Sequence, residues 1–380
     1  MNPTMNKTKI KKVIAESVSK SASQLNRVNQ KPTGKISEIT LDLLNSGLPV
    51  MQSNDFRLGT VKFDTPHLQK HSKTDTFMVA MLPQLIQQEF ESFFLKKFPD
   101  IAQHGNGIIF HKGFIRQDNI FFSKIEKINS ILQFPDLLIT TDINSLYHNS
   151  KRLLSKQNFD TFQYRMNEAF TGIGLENTYT VFRFLAADGL VMVADKAKFD
   201  YSPMPEEWYE LLHPAFANKL AFCGDIDFNC NTLHMHFVRD FGMGAIGQLL
   251  QNTLARLHPA HMLEAIQDGN RLGASVYIMP FSYARQIENN SDYQIIWPKD
   301  GAIMLPVQLL VKKGAYNRYK EIIRFLTGSE MGQLFASKGF VPVNVYTENI
   351  AYGKMNWIGW DFLEQENIVD VKHEISKLLK

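Results

Sequence analysis

From residue 76 onward, short apolar runs alternate with longer stretches whose apolar residues recur every three or four positions. The short runs predict strands, and the periodic stretches predict amphipathic helices. Pro83 directly follows the first run, and proline suits the first turn of a helix. The predicted elements are a strand at Thr76–Leu82, a helix at Gln84–Lys97, a strand at Ile108–Phe110, a helix at Asn119–Leu132 and a strand at Pro135–Thr141. This order is typical of a parallel sheet covered by helices on both faces.

A second alternating block follows the nearly continuous apolar stretch Thr180–Ala194. Within that stretch, Ala187-Asp188-Gly189 predicts a turn between two strands. Further strands are predicted at Lys219–Phe222, Ser275–Met279, Tyr293–Trp297 and Ile303–Val311, and helices at Phe237–Arg256, His258–Asp268, Tyr316–Leu326 and Glu330–Ser337.

The two ends of the chain differ from this alternating region. Residues 1–75 are polar and predict an N-terminal extension with short helices, and residues 346–380 predict a tail that packs on the rest. The basic start is followed by no apolar run of the kind, about 7–15 residues long, that marks a secretory signal peptide. As written, the chain is therefore expected to be cytoplasmic.

Composition narrows the classes of protein. The chain has 380 residues, 44% of them hydrophobic, and one core usually stops growing near ~250–300 residues, so we expect two lobes. A net charge of +3 gives no reason to expect a nucleic-acid partner. Two cysteines cannot form a disulfide scaffold. No apolar run reaches the ~18–20 residues of a membrane span, so we expect no direct membrane insertion.

Several motifs follow one another in a fixed order. Tyr201–Leu220 carries a Pro, Trp, Leu, Pro, Phe and Lys pattern, Trp297–Pro306 contains Lys-Asp-Gly-Ala, and Ile322–Pro342 contains Phe-Leu-x-x-Ser-Glu-x-Gly. Together with Phe77–Phe94 and Pro135–Ile139, this set resembles the solute-binding proteins of ABC importers, in the ferric-iron, thiamine, polyamine and phosphonate group. The resemblance covers about residues 76–345.

The resemblance implies an α/β, two-lobe fold of the periplasmic-binding-protein type (type II), with an interlobe cleft and, here, an N-terminal extension. Lobe 1 would comprise residues 76–180 and 303–345, and lobe 2 residues 181–302. Crossing strands near Thr180–Ala194 and Trp297–Val311 would join the lobes.

The resemblance also implies a function. The chain would be a non-catalytic solute-binding protein with an ABC permease as a possible partner. The resemblance implies a place outside the cytoplasm, whereas the start of the sequence predicts a cytoplasmic protein, so the localisation stays open. A cytoplasmic ligand sensor or an enzyme on the same fold is the alternative. The common dinucleotide, P-loop, serine-hydrolase and zinc-protease motifs do not occur in a suitable context, so we expect no enzyme activity and no cofactor.

The candidate ligand groups follow predicted strands or begin predicted helices, where free N–H groups favour anions. The loops that follow the predicted strands also contain the cation Lys299 and the carboxylates Asp142 and Asp300. A small organic anion, phosphorylated or carboxylated, is therefore the expected ligand. The residues expected to bind it are Thr140, Thr141, Asn231, Thr232 and Arg183, with Phe281 and Tyr283 as aromatic contacts. For Thr140 and Thr141, which can simply cap a helix, a purely structural role stays open. The same holds for Arg183 and for the aromatic residues, which include Trp297.

Ferric-iron members of the resembled group carry an adjacent Tyr-Tyr pair after the strand that corresponds to Ser275–Met279. Here Phe281 and Ser282 stand at that place, and Tyr283 follows. Phenolate oxygens are good ligands for Fe³⁺. We therefore expect that this chain does not bind ferric iron through a tyrosinate pair.

Cys223–His236 contains two Cys, two Asp and two His residues, and three interpretations stay open. No metal site is expected, but Cys223, Cys230, His234 and His236 are a weak alternative as soft-metal ligands. The two histidines would share one face in an extended segment and diverge in a helix. The segment can also be a structural passage from strand to helix, or Asn231 and Thr232 can cap the helix and bind an anion.

Overall fold

The computed structural model describes residues 77–99, 108–111, 130–141, 153–161, 165–175, 181–199, 203–223, 231–365 and 368–379. The predicted N-terminal extension lies outside these residues. The strands are β1 Met78–Met81, β2 Ile108–His111, β3 Leu137–Thr140, β4 Arg183–Asp195, β5 Leu220–Cys223, β6 Thr253–Leu257, β7 Val276–Pro280, β8 Tyr293–Ile296, β9 Ala302–Val311, β10 Val341–Pro342 and β11 Met355–Asn356.

Ten α-helices are described. They are α1 Gln84–Lys97, α2 Asn231–Phe241, α3 Gly244–Asn252, α4 Pro259–Gln267, α5 Phe281–Ala284, α6 Ala315–Arg318, α7 Lys320–Thr327, α8 Ser329–Ser337, α9 Trp360–Leu363 and α10 Ile368–Leu378. Short 3-10 helices, such as Trp208–Leu212, connect some of the other elements.

Two long antiparallel strands, β4 and β9, form the centre of the sheet. The parallel strands β2, β1 and β3 extend from β9, and the parallel strands β7, β5 and β6 extend from β4. The hydrogen-bonded ladder is continuous because β4 and β9 belong to both groups. β3 runs parallel to β4 whereas β7 runs antiparallel to it, so the carboxyl ends of the two groups point toward each other along the crossing pair.

The crossing strands differ from the prediction in one respect. Ala187-Asp188-Gly189 forms no turn, and β4 is a single strand of 13 residues. Ala187 and Leu190 both keep their pairing with β9. Pairing along both edges of β4 therefore overrides the local turn signal.

The predicted helix Phe237–Arg256 is also wrong in part. The helix ends before Gly242, whose φ of 81° lies in the left-handed region that glycine tolerates best. A new helix starts at Gly244. Thr253–Leu257 is a strand, because it pairs in parallel with β5. The predicted helix Tyr316–Leu326 is likewise divided at Tyr319. Most of the predicted helix Asn119–Leu132 lies outside the described residues.

The first group of strands separates two apolar clusters. Leu137 and Ile139 pack with α1 and α7 on one face, whereas Leu138 packs on the other face with the cluster that continues through the second group. Successive strand residues point to opposite faces. This alternation assigns each polar residue of β3, β4 and β9 to one face of the sheet.

Candidate functional site

Thr140 ends β3 and is completely buried. It pairs with Gln308 of β9, and Gln308 pairs in turn with Phe184 of β4. Paired residues of antiparallel strands project to the same face, so these three side chains form one row across the sheet. Thr141 follows at the carboxyl end of the strand and is half-buried.

The Gln308 side chain is the most unusual polar group in this row. It is completely buried, and neither its Oε1 nor its Nε2 has a hydrogen-bond partner among the described residues. Leaving a buried amide without partners costs roughly 1–3 kcal/mol. Little in the sequence points to this residue, since its only signal is one polar position inside the apolar strand Ala302–Val311.

Asn231 and Thr232 are the first two residues of α2. Thr232 is half-buried, and the side chain of Asn231 is outside the described set. The first N–H groups of a helix have no partner within the helix itself. The start of α2 can therefore offer backbone N–H groups and one hydroxyl to an anion.

The two histidines of this segment lie on α2, two positions apart. Their side chains therefore diverge by roughly 200° around the helix. Both are buried, and the two ring nitrogens of His236 lie 2.8 Å from the Thr232 carbonyl oxygen and 3.1 Å from that of Asn356. Burial lowers the pKa of His236 to about 4, so the ring is neutral near pH 7 and donates to only one of these carbonyls.

These positions give the weak metal alternative no support. The side chains of Cys223 and Cys230 are not among those described, so their distances to the two histidines do not enter the comparison. In the part of the chain that the structure describes, no three His, Cys, Asp or Glu side chains are grouped to hold a metal ion.

Arg183 lies at the start of β4 and is half-buried. It pairs with Leu309, which packs on the face of Leu137 and Ile139. Thr140 and Gln308 belong to the opposite face, because they alternate with Ile139 and Leu309. The structure therefore separates Arg183 from the threonines with which the sequence grouped it.

The aromatic candidates pack mainly against other rings. Phe281 is completely buried, and its ring centroid lies 5.3 Å from that of Trp297 and 5.0 Å from that of Tyr352. Tyr283 is half-buried and makes an edge contact with His258 at 6.0 Å. Of the two residues proposed as aromatic contacts, Tyr283 is the one that retains exposed surface.

Two charged groups near the predicted loops have structural partners. Lys299 forms an ion pair with Glu206. The Asp300 carboxylate accepts from the backbone N–H of Trp208 at 3.1 Å, and burial raises the pKa of Asp300 to about 6. Asp142 lies outside the described residues.

Asp188 is a central residue whose sequence context predicts only a turn. Its buried carboxylate accepts from the backbone N–H of Ser282 at 3.1 Å, from the Ser282 hydroxyl at 2.5 Å and from the Gly189 N–H at 2.9 Å. Burial raises the pKa of Asp188 to about 7. The available signal was a single acidic residue in a long apolar stretch. Asp188 thus joins β4 to the first turn of α5. This is the place at which the ferric-iron solute-binding proteins described above carry their Tyr-Tyr pair.

The fold defines a class of protein, in which two groups of α/β elements share two crossing strands. The sequence profile of the bacterial extracellular solute-binding proteins matches residues 133–366. The chain belongs to this family. Its members are binding proteins, and the described residues contain no helix that is both long enough and apolar enough to cross a membrane.

Solved structures with low sequence identity share the fold. A ferric binding protein from Campylobacter jejuni is 16% identical with a TM-score of 0.58, and the match covers 79% of this chain and 98% of that one. An ABC transporter structure from Clostridium perfringens is 16% identical with a TM-score of 0.54, over 80% of this chain and 100% of that one.

The periplasmic binding protein AfuA from Actinobacillus pleuropneumoniae, solved with exogenous fructose-6-phosphate bound, is 15% identical. Its TM-score is 0.55, over 80% of this chain and 96% of that one. A search of curated protein sequences found no match. The structural likeness confirms the two-lobe, periplasmic-binding-protein-like fold, whereas the exact lobe boundaries remain a prediction.

Proposed function

We propose that this protein captures a small organic anion between its two lobes and presents it to an ABC-type importer. The ligand would lie between the carboxyl end of β3, with Thr140 and Thr141, and the start of α2, with Asn231 and Thr232. Tyr283 would contribute an aromatic contact.

The observation that carries this proposal is the amide of Gln308, which is buried beside Thr140 and has no hydrogen-bond partner among the described residues. A ligand oxygen that accepts from its Nε2 would recover the cost of burying that group. Helix N–H groups favour a negatively charged ligand over a cation, and the threonine hydroxyls can donate hydrogen bonds to its oxygens. The fructose-6-phosphate bound to AfuA, one of the structural neighbours, is an anion of this chemistry.

A ferric ligand held by tyrosinates is not part of the proposal. Phe281 is buried against Trp297 and Tyr352, and the Ser282 hydroxyl donates to Asp188. Neither side chain offers a phenolate. Titration with ferric citrate is expected to give no visible charge-transfer band, and a strong band that disappears in Tyr283→Phe would refute this expectation.

Native mass spectrometry of the purified protein, for small molecules and metals together, tests what is bound. A thermal-shift panel of phosphate esters, carboxylates and polyamines then tests the ligand class, since a ligand of the folded state raises the midpoint. We expect phosphate esters or carboxylates to raise it. A response to polyamines alone would contradict the proposal.

Two variants localise the ligand. Thr232→Val and Gln308→Leu should each weaken binding of the anion that raises the unfolding midpoint by tenfold or more. The reason is that each substitution removes a hydrogen-bonding group at the proposed site. Thr171→Val is the control, since Thr171 is an exposed threonine at the end of a 3-10 helix. An unchanged response in both site variants would contradict the placement.

A further inference from the structure

Trp357, which follows β11, is a buried aromatic residue with a polar group that the described residues leave unbound. Only 4% of its surface is exposed, and its indole Nε1–H has no hydrogen-bond partner among the described residues. A buried indole N–H usually has such a partner. The completely buried Gln308 amide lacks one in the same way. Both side chains can therefore bind a group that is not part of the described chain.

Trp357 and Gln308 lie on either side of one aromatic ring. The Trp357 ring centroid is 5.7 Å from that of Phe184, in an edge contact. Gln308 pairs with Phe184 in the sheet, so these two side chains project to the same face. Trp360 completes the group, with its ring centroid 5.2 Å from that of Trp357. We call Phe184, Gln308, Trp357 and Trp360 the indole cluster.

The indole cluster lies at one end of a gap in the sheet. β3 and β11 both pair with the edge of β9 that faces away from β4, and their carboxyl ends point toward each other. Between these ends, Met304–Val307 pair with no described strand on that edge. Thr141 follows β3 and Trp357 follows β11. Trp357 therefore lies across the gap from the end of β3, where we place part of the solute site.

Helix α2 holds the segment that carries Trp357. Arg239 donates to the Trp357 carbonyl oxygen at 2.5 Å and to the Asn356 side-chain oxygen at 2.8 Å. A ring nitrogen of His236 lies 3.1 Å from the Asn356 carbonyl oxygen. Thr232, at the start of the same helix, belongs to the proposed solute site. One helix thus connects Trp357 with the groups that we assign to the solute.

The hydrogen-bonding capacity of the indole cluster defines the chemistry of its partner. The Trp357 indole only donates, whereas the Gln308 amide both donates and accepts. A hydroxyl group also donates and accepts, so neighbouring hydroxyl groups of one ligand can satisfy both side chains. An alkyl chain in the same place would leave these buried polar groups without partners, which lowers affinity. Aromatic walls with a few polar groups are typical of small-molecule sites.

We infer that Trp357 is a ligand-binding residue of the solute site and that, with Gln308, it selects an anion whose body carries hydroxyl groups. The inference rests on the proposed function and names the chemical class of its solute. The negative charge lies toward Thr141 and the start of α2, and the hydroxylated body lies against the indole cluster.

Matched pairs of anions test the chemical class with the full chain. Gluconate is compared with hexanoate, and inositol monophosphate with cyclohexyl phosphate, because each pair has the same carbon skeleton size and the same kind of charged group. Isothermal titration calorimetry measures binding. At least one hydroxylated anion should bind, roughly tenfold or more tightly than its alkyl counterpart. Equal or tighter binding of the alkyl counterparts, or no binding of either hydroxylated anion, would overturn the inference.

Trp357→Phe tests the residue, since it keeps an aromatic ring and removes the N–H. It should weaken binding of the hydroxylated anion roughly tenfold. Trp208→Phe is the matched control, because Trp208 is equally buried but its indole N–H donates to the Gly301 carbonyl at 2.8 Å. This control should bind the anion as the wild type does. Thermal unfolding checks that both variants are folded, and unchanged binding in folded Trp357→Phe would overturn the inference.

Proton NMR of the indole N–H groups gives a second readout, which does not depend on the stability of a variant. The chain has four tryptophans, and the two variants assign the signals of Trp357 and Trp208. The hydroxylated anion should shift the Trp357 signal and leave the Trp208 signal nearly unchanged. A Trp357 signal that stays in place while the anion is bound would mean that a buried water is its partner, and would overturn the inference.

Thr232→Val separates failure of this inference from failure of the proposed function. An anion whose binding is weakened by Thr232→Val but not by Trp357→Phe would overturn only the inference. The same holds for an anion without hydroxyl groups that depends on Thr232. No binding of any phosphate ester or carboxylate would contradict the proposed function as well.

Discussion

Asp188 and Gln308 are both buried polar residues on the crossing strands, but their surroundings differ. The Asp188 carboxylate accepts three hydrogen bonds, two of them from Ser282. The Gln308 amide accepts and donates none within the described residues. A fully satisfied buried group stabilises the structure that holds it, whereas an unsatisfied one lowers stability and indicates a place where a ligand or water is expected.

The difference separates two roles within one strand pair. Asp188 holds the first turn of α5 against β4, and Gly339 packs on the same Ser282. Gln308 lies in the row with Thr140, where we place part of the solute site. The following predictions test whether Asp188 is structural and whether Gln308 is kept for binding.

Asp188→Ala should cause the largest loss. It removes the acceptor for buried donors, and we expect the free energy of unfolding to fall by about 3 kcal/mol or more. Urea denaturation measures the change. Glu374→Ala, at an exposed position of α10, is the control and should change stability by less than about 0.5 kcal/mol. Equal losses of stability in the two variants would contradict a structural role of Asp188.

The pH dependence of stability should reveal Asp188 and His236 acting in opposite directions. The pKa of Asp188 is raised from 3.8 to about 7, so the folded state binds its proton more tightly than the unfolded state. Its contribution is full below about pH 4 and is lost as the pH rises to about 7, by up to ~4 kcal/mol. The pKa of His236 is lowered from 6.5 to about 4, so stability rises with pH across that interval, by up to ~3 kcal/mol.

Because the two effects largely cancel between about pH 4 and 6.5, variants are needed to separate them. Relative to wild type, Asp188→Asn should gain stability as the pH rises, and His236→Gln should lose it. Chemical denaturation of the wild type and both variants between about pH 4.5 and 7.5 gives the stability of each protein as a function of pH. Variant curves that run parallel to the wild-type curve would contradict the assignment of these two groups.

Gly339→Ala should disturb the Ser282 contact from its other side. A Cβ at Gly339 would lie 2.7 Å from the Cα of Ser282, and the φ of 85° is unfavourable for alanine. We expect a loss of about 2–4 kcal/mol in urea denaturation. Gly172→Ala is the matched control, because its φ is 72° and no atom lies within 4 Å of the added Cβ. A loss of stability no greater than that of the control would show that the close approach of Gly339 to Ser282 does not affect stability.

Gln308→Leu should have the smallest effect on stability, in the favourable direction. Its buried amide has no hydrogen-bond partner in the described part of the chain, so its replacement with an apolar group of similar size is expected to raise stability by about 1 kcal/mol. Gln248→Leu is the comparison, since Gln248 is also buried but its amide donates to Asn252 at 3.4 Å. Gln248→Leu should destabilise the protein. An equal loss at Gln308 would mean that its amide has a structural partner.

Local sequence patterns predicted the elements whose stability depends on near neighbours. The helix Gln84–Lys97 has the predicted bounds, because its apolar residues repeat at helical spacing after Pro83. β3 and β9 were recognisable as compact apolar runs. The ordered motifs, together with these elements, led to the two-lobe fold and to the family.

The candidate site was predictable only in part. Thr140 and Asn231 were identified because they lie where a strand ends and a helix begins, and both features are local. Gln308 was not identified, because its burial depends on strands distant in sequence. Asp188 was assigned to a turn for the same reason.

The order and type of most elements, and the class of protein, therefore follow from local sequence patterns. That residues 187–189 continue a strand, and that Thr253–Leu257 is a strand, depends on the tertiary structure. It also decided that Arg183 faces away from Thr140. The physical reason is that strand pairing and register are set by contacts between segments far apart in the chain, and a shift of one residue moves every side chain to the opposite face.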